Sequence, residues 1–279
     1  MKTYLYSEPA AVTLDLKEVA KYTRKLLPSL EVEIREAFLQ HHLDKMPLEA
    51  RQEAIARLAQ QFAEARVRDP RRLSERLPPL LGEINYEMRR LTNPESKAFG
   101  ILYDGLKLGV ILGRLILKEE SSLAHIHIVF TNQLLGTWDD GDRRYHARVI
   151  LCGFPSIIST SGVVEAPAKP REYYFLKQQY LGLGMGDAAA IELDAEFRGR
   201  YIDYDDQRLT EVVKGYVLQA IVYHLSGDPF CEDRNCRLYN AHWQEELIRA
   251  QLDGDYEFCP GHEKVLRQLD RAMAPIKSG

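Results

Sequence analysis

Apolar and polar positions alternate along this chain in two periods. KTYLY at residues 2–6 is a run of strand formers. From Asp15 to Leu27, Leu16, Val19, Tyr22, Leu26 and Leu27 recur near helical spacing. LEVEI at 30–34 alternates apolar and charged residues and predicts a half-buried strand. A strand–helix–strand opening predicts an α/β class.

A second helix is predicted over Pro47–Val67, with proline suited to a first turn and Ile55, Leu58 and Phe62 forming a stripe. Residues 70–96, with prolines at 78 and 79 and many charges, show no readable period, and 44–96 as a whole reads as a helical insertion. Ser96–Lys118 predicts a buried helix with Gly105, Gly109 and Gly113 on one face. Each glycine costs about 1 kcal/mol against alanine in a helix, so close packing on a sheet is expected to offset it. AHIHIVFT at 124–131 predicts a strand with His125 and His127 on one face and Ile126 and Ile128 on the other. Further strands are expected at 149–152 and 157–160, and extended chain at 164–171, where two prolines bar a helix. The surrounding stretch STSGVVEAPAKPREYY reads as a structural loop, with groove lining as the alternative. Leu209–Leu225 predicts a long helix stopped by Gly227 and Pro229, and Asn240 is expected to cap another over 240–249.

Composition narrows the function. With 279 residues, 45% hydrophobic, the chain supports one large domain or two smaller ones. Its 37 basic and 41 acidic residues give a net charge of −4, which argues against nucleic acid as a partner. Arg143, Arg144 and Arg148 lie beside Asp139, Asp140 and Asp142 and read as a solvated mixed-charge loop. The longest apolar stretch, 101–117, is too short and too interrupted to span a bilayer, so no membrane partner is expected. The opening residues lack the features of a signal peptide, and a cytoplasmic location with reduced thiols is expected.

Three of the four cysteines fall within 29 residues of one another. Cys231 and Cys236 are separated by four residues, and Cys259 and His262 by two. Two short-spaced donor pairs joined by a loop are what a tetrahedral zinc requires. Three thiolates and one imidazole fill all four positions, so the predicted role is structural. Cys152 reads as a core residue. His41-His42 reads as surface, and His125, His127, His146 and His242 as surface or internally satisfied histidines.

His224-Leu-Ser-Gly227, Cys231, Cys236-Arg-Leu238 and Cys259-Pro-Gly-His262 together resemble the archaemetzincins, metzincin-type zinc peptidases with the signature H-E-x-x-H-x-x-G-x-x-H-C, four residues, C-x-M, then C-x-x-C. The resemblance spans 97–262, extends more thinly to 1–35, and leaves out the insertion. It implies a structural zinc on Cys231, Cys236, Cys259 and His262, with His262 replacing a cysteine. It also implies a catalytic zinc, but Ala220, Ile221 and Phe230 stand where the family has its first histidine, its glutamate base and its third histidine. Leu238 stands in place of the methionine. Only His224 is retained as a catalytic candidate. A catalytic zinc needs about three protein ligands and a carboxylate base, so the usual mechanism is expected to be lost.

The resulting expectation is an α/β, metzincin-like single domain over 1–279. It comprises a twisted mixed sheet with packed helices, a helical insertion at 44–96, and a degenerate active-site helix with a zinc cluster over 220–262. Zinc is the expected cofactor, as one structural ion. Two functions follow: a hydrolase with a catalytic site rebuilt around His224, or a non-catalytic zinc protein holding a peptide or protein in the inherited cleft.

Overall fold

The computed structural model describes residues 1–73, 78–185, 191–193 and 195–274. β1 (Lys2–Tyr6) is followed by α1 (Leu16–Leu26), which Asp15 starts by accepting hydrogen bonds from the main-chain N–H groups of Lys17 and Glu18. The chain then returns as β2 (Glu31–Arg35), parallel to β1. β5 (His125–Thr131) pairs with the other edge of β1, also in parallel, and β9 (Ser156–Ser159) extends the sheet beyond it. β8 (Ile150–Leu151) closes it as an antiparallel edge strand, giving the order β2-β1-β5-β9-β8.

The two-residue period of these strands separates two cores. Leu5, Ile126, Ile128 and Phe130 face one side, where they pack with α1 and with the helix Leu209–Ser226. Tyr4, Tyr6 and Val129 face the other. That second side is covered by α2 (Phe38–Leu43), α3 (Leu48–Glu64) and α5 (Gly105–Gly113), through Phe38, Leu58, Phe62, Leu108 and Leu112. The segment 44–96 therefore supplies α3 and the further helix α4 (Leu81–Thr92) to this second layer. His125 and His127 lie on the opposite face from Ile126 and Ile128, as the alternation predicts; Tyr4 stacks against the His125 ring and lies tilted beside that of His127.

A second, four-stranded sheet has the order β3-β4-β6-β7, from Arg66–Val67, Leu102–Asp104, Leu134–Asp139 and Arg144–Arg148. Strand β4 corrects the expectation of a continuous helix over 96–118. Leu102–Asp104 is drawn into this sheet by β6, and the helix starts only at Gly105, capped by Asp104. Nor is that helix buried all round, since Leu106 and Val110 are more than half exposed. Its glycines do make the expected close approach. A methyl group on Gly105 would stand 3.4 Å from the Gly136 carbonyl, and one on Gly113 would stand 3.0 Å from the Phe154 carbonyl.

Two other expectations shift. Val164 and Glu165 finish a short helix, α6 (Thr160–Glu165), that Ser159 caps, so the extended stretch begins at Ala166. Arg171 opens α7 (Arg171–Gly182). Further along the chain come α8 (Leu209–Ser226), α9 (Gln244–Ile248) and α10 (Pro260–Met273). Trp243 rather than Asn240 precedes α9, because the Glu246 carboxylate turns back to accept from the N–H groups of His242 and Trp243.

Candidate metal centre

α8 ends at Gly227, whose φ of 80° suits the left-handed turn that releases the chain. Beyond it the chain folds back on itself from Cys231 to Tyr239. The Cys231 N–H donates to the Leu238 carbonyl (3.0 Å), and the Tyr239 N–H donates to that of Cys236 (2.8 Å). The buried Gln219 of α8 fixes this loop, its side-chain amide donating to the carbonyls of Leu238 and Tyr239 at 3.2 Å each. Arg237 adds a second tie, donating to the Glu211 carboxylate at 2.7 Å. The second donor pair sits where α10 begins, with Cys259 capping the helix and Pro260 in its first turn.

These turns bring the four predicted donors together. Sγ of Cys231, Cys236 and Cys259 and a ring nitrogen of His262 all lie within 4.8 Å of one another. Cys231 Sγ is 3.8 Å from Cys259 Sγ, and His262 Nδ1 is 3.2 Å from Cys259 Sγ and 3.8 Å from Cys236 Sγ. Donors about 2.3 Å from a zinc at tetrahedral angles stand roughly 3.8 Å apart, so the set fits that ion. Two main-chain N–H groups, of Asp233 and His262, point at Cys231 and Cys259 Sγ from 3.4 Å. Both favour thiolate. Burial works the other way, raising the Cys236 thiol and pushing that of Cys231 up to about 12. A divalent cation reverses that preference, because a coordinating thiol is deprotonated. Among the described residues this is the one group of three or more histidines, cysteines or acids gathered closely enough to hold a metal.

The other sequence-predicted positions lie apart from this set. Ala220 and Ile221 are fully buried in the core that α8 shares with the sheet, as is Leu238. His224 sits one turn further on, half-buried, with Nε2 2.9 Å from the Leu123 carbonyl and its ring 6.3 Å from that of Phe154. His127 is buried between the Tyr6 hydroxyl and the Glu120 carbonyl, each at 2.9 Å, and burial lowers its pKa. His146 pairs with Asp142 at 2.9 Å. Cys152 is half-buried rather than a core residue, its thiol pushed up to about 12 by desolvation. His42, expected at the surface, is 4% exposed, because α2 tucks it beneath the sheet against Phe38.

A cleft runs between the free edge of β8 and the segment 240–242. Its cavity of about 360 Å³ is lined by Ile150, Leu151 and Cys152 on one side and Asn240, Ala241 and His242 on the other. Ala166 and Pro167, from the segment left open between loop and groove, line it too, as do Tyr216 of α8 and Phe230.

Residues 1–269 match the model of a family described as a probable metallopeptidase family (DUF6775). The chain belongs to this family. No curated protein matches it. Among solved structures, it is similar to a zinc-dependent peptidase from Methanocorpusculum labreanum (strain Z), at 16% identity and a TM-score of 0.44, over 95% of this chain and 99% of that one. Among the described residues of this DUF6775 chain, no helix is long and apolar enough to cross a membrane.

Proposed function

We propose that this chain is a zinc protein of archaemetzincin-like, metallopeptidase descent whose Cys231, Cys236, Cys259 and His262 hold a single structural ion, and whose former catalytic position has been filled by core. One observation carries the reading. Ala220 and Ile221, at the positions of a first histidine and a base, have no exposed surface, while His224 gives its imidazole to a main-chain carbonyl. Four protein donors leave a zinc no open position for water, so this set serves folding rather than hydrolysis. The cleft then has a binding role. β8 offers an unpaired strand edge beside it, and an extended peptide or protein segment adds there by main-chain hydrogen bonds. Thiols reserved for a metal suit a reducing compartment, and we place the protein in the cytoplasm.

Elemental analysis of the purified full chain tests the reading. One zinc per chain is expected, retained in His224→Ala and lost in Cys236→Ser. Two zinc ions per chain, one of them lost in His224→Ala, would instead establish a hydrolase with a rebuilt catalytic site.

A further inference from the structure

Away from the metal centre, and independently of its reading, a crevice opens at the carboxyl ends of the parallel strands. From β1 the chain crosses by α1 to β2 on one side, and the later strands β5 and β9 add on the other. The direction of winding thus reverses between β1 and β5, the place where open α/β sheets hold ligands. Ser7 and Glu8 follow β1 there, and Asn132 and Gln133 follow β5. The crevice encloses about 220 Å³, with its apolar wall built from Phe38, Phe62, Leu108, Leu112, Val129 and Ile157, all nine-tenths or more buried.

Its polar groups are unbalanced toward donors. Gln133 is 6% exposed, and its buried Nε2 has no hydrogen-bond partner among the described residues. The side chain of Arg90 is 10% exposed, and its Nη2 is likewise buried and unpartnered. Arg90 does not have a carboxylate to itself. Glu87 accepts from Arg90 Nε at 3.0 Å, but also takes Arg66 at 2.6 Å and the Tyr103 hydroxyl at 2.8 Å. Glu8 is the other acid in reach, but both its oxygens are occupied, one by the Ala10 N–H and the Asn132 side-chain amide, the other by the Asn132 N–H. Burial lifts its pKa to about 7, so near neutrality much of its charge is gone. Two arginines share the Glu87 carboxylate, and Arg90 and Gln133, each with a buried nitrogen that has no partner among the described residues, line an apolar cavity. Unpaired buried donors are costly and mark a place where a ligand or ion is missing from the account.

We infer that this crevice binds a small monocarboxylate with an apolar tail, its carboxylate taken by Arg90 Nη2 and Gln133 Nε2 and its tail by Phe38, Phe62, Leu108 and Leu112. The volume lies below the roughly 300–1,000 Å³ of drug-sized sites, so the tail is short.

Calorimetric titration of the full chain with sodium octanoate, against octan-1-ol as the uncharged control, tests this. Octanoate is expected to bind saturably, and octan-1-ol roughly 10–100-fold more weakly, since hydrogen bonds to a charged group are worth about 1.5–3 kcal/mol. Gln133→Met, which removes the unpartnered nitrogen along with an oxygen that accepts from the Thr131 hydroxyl at 3.4 Å, is expected to stay folded, as its melting temperature checks, and to weaken octanoate roughly tenfold. Leu112→Phe, which fills the cavity, is expected to abolish binding of both. Absence of saturable octanoate binding at millimolar concentration, equal affinity for octan-1-ol, or unchanged octanoate affinity in Gln133→Met or Leu112→Phe would each overturn the inference.

Discussion

His42 shows what one buried imidazole does to this protein. It lies 4.5 Å from the Phe38 ring, with neither ring nitrogen hydrogen-bonded among the described residues, and burial lowers its pKa from 6.5 to about 4. Below pH 6.5 the unfolded chain takes a proton there that the folded chain refuses until near pH 4. His42 therefore leaves stability intact above pH 6.5 and erodes it as the pH falls toward 4. Urea midpoints at pH 7 and pH 5 are expected to converge in His42→Leu, removing a difference of roughly 1–2 kcal/mol. The sequence reading of His41-His42 as surface fails here. A doubled histidine beside Leu39 and Leu43 shows neither which ring turns inward nor how deeply. The four metal donors were legible because spacing alone constrains them, CEDRNC and CPGH each forming a turn with two donors. Cys236 is the most buried of the cysteines. Cys236→Ser is expected to release the ion and lower the melting temperature, both read on the same sample by metal analysis and calorimetry.

At the scale of elements, α8 was the clearest in the sequence, and it organises everything around the centre. Its Gly215 lets the turn at 249–253 approach so closely that a methyl group there would stand 2.1 Å from the Gln251 side-chain oxygen. That amide cannot swing away freely, because Gln251 is 2% exposed and its nitrogen donates to the Arg237 carbonyl at 2.8 Å. Gly215→Ala is expected to destabilise by about 1–3 kcal/mol in chemical denaturation, despite alanine's better helix propensity. A gain in stability would show that the contact is dispensable. Other elements were harder to read. The apolar run at 101–117 satisfies a strand and a helix equally, and only the pairing of Leu102–Asp104 with β6 divides it. Helix α4 carries Leu81, Ile84, Met88 and Leu91 at helical spacing, but only part of that stripe is buried. Its one fully buried side chain is Glu87, and it is held by the arginines around that carboxylate, which no periodicity count detects.

For the whole molecule, the α/β class followed from the opening strand, helix and strand, but the division into two sheets did not, because β3 and β4 are only two and three residues long and β4 joins the β6–β7 hairpin by a parallel pairing some thirty residues apart in sequence. The metal donors belong to that larger architecture. Cys236 and Leu238 lie in the same core as Leu5 and Val19, and Leu266 of α10 lies there too. The main-chain N–H of Ser29, between α1 and β2, donates to the carboxylate of the α10 residue Asp270. Freeing the donors should therefore loosen the N-terminal βαβ unit as well. Chelator is expected to lower the single melting transition by roughly 6–12 °C for a loss of about 3 kcal/mol, rather than to melt residues 227–273 alone. Two resolved transitions would show that the segment folds independently.

The inner place of β1 in its sheet has a further consequence during synthesis. β1 is flanked on one side by β5, more than a hundred residues later in the chain, and is roofed in part by a helix beginning at Leu209. Until that helix is made, α1 alone covers the apolar face that Leu5 presents. A chain stalled before residue 209 is therefore expected to leave part of that face exposed and to be aggregation-prone.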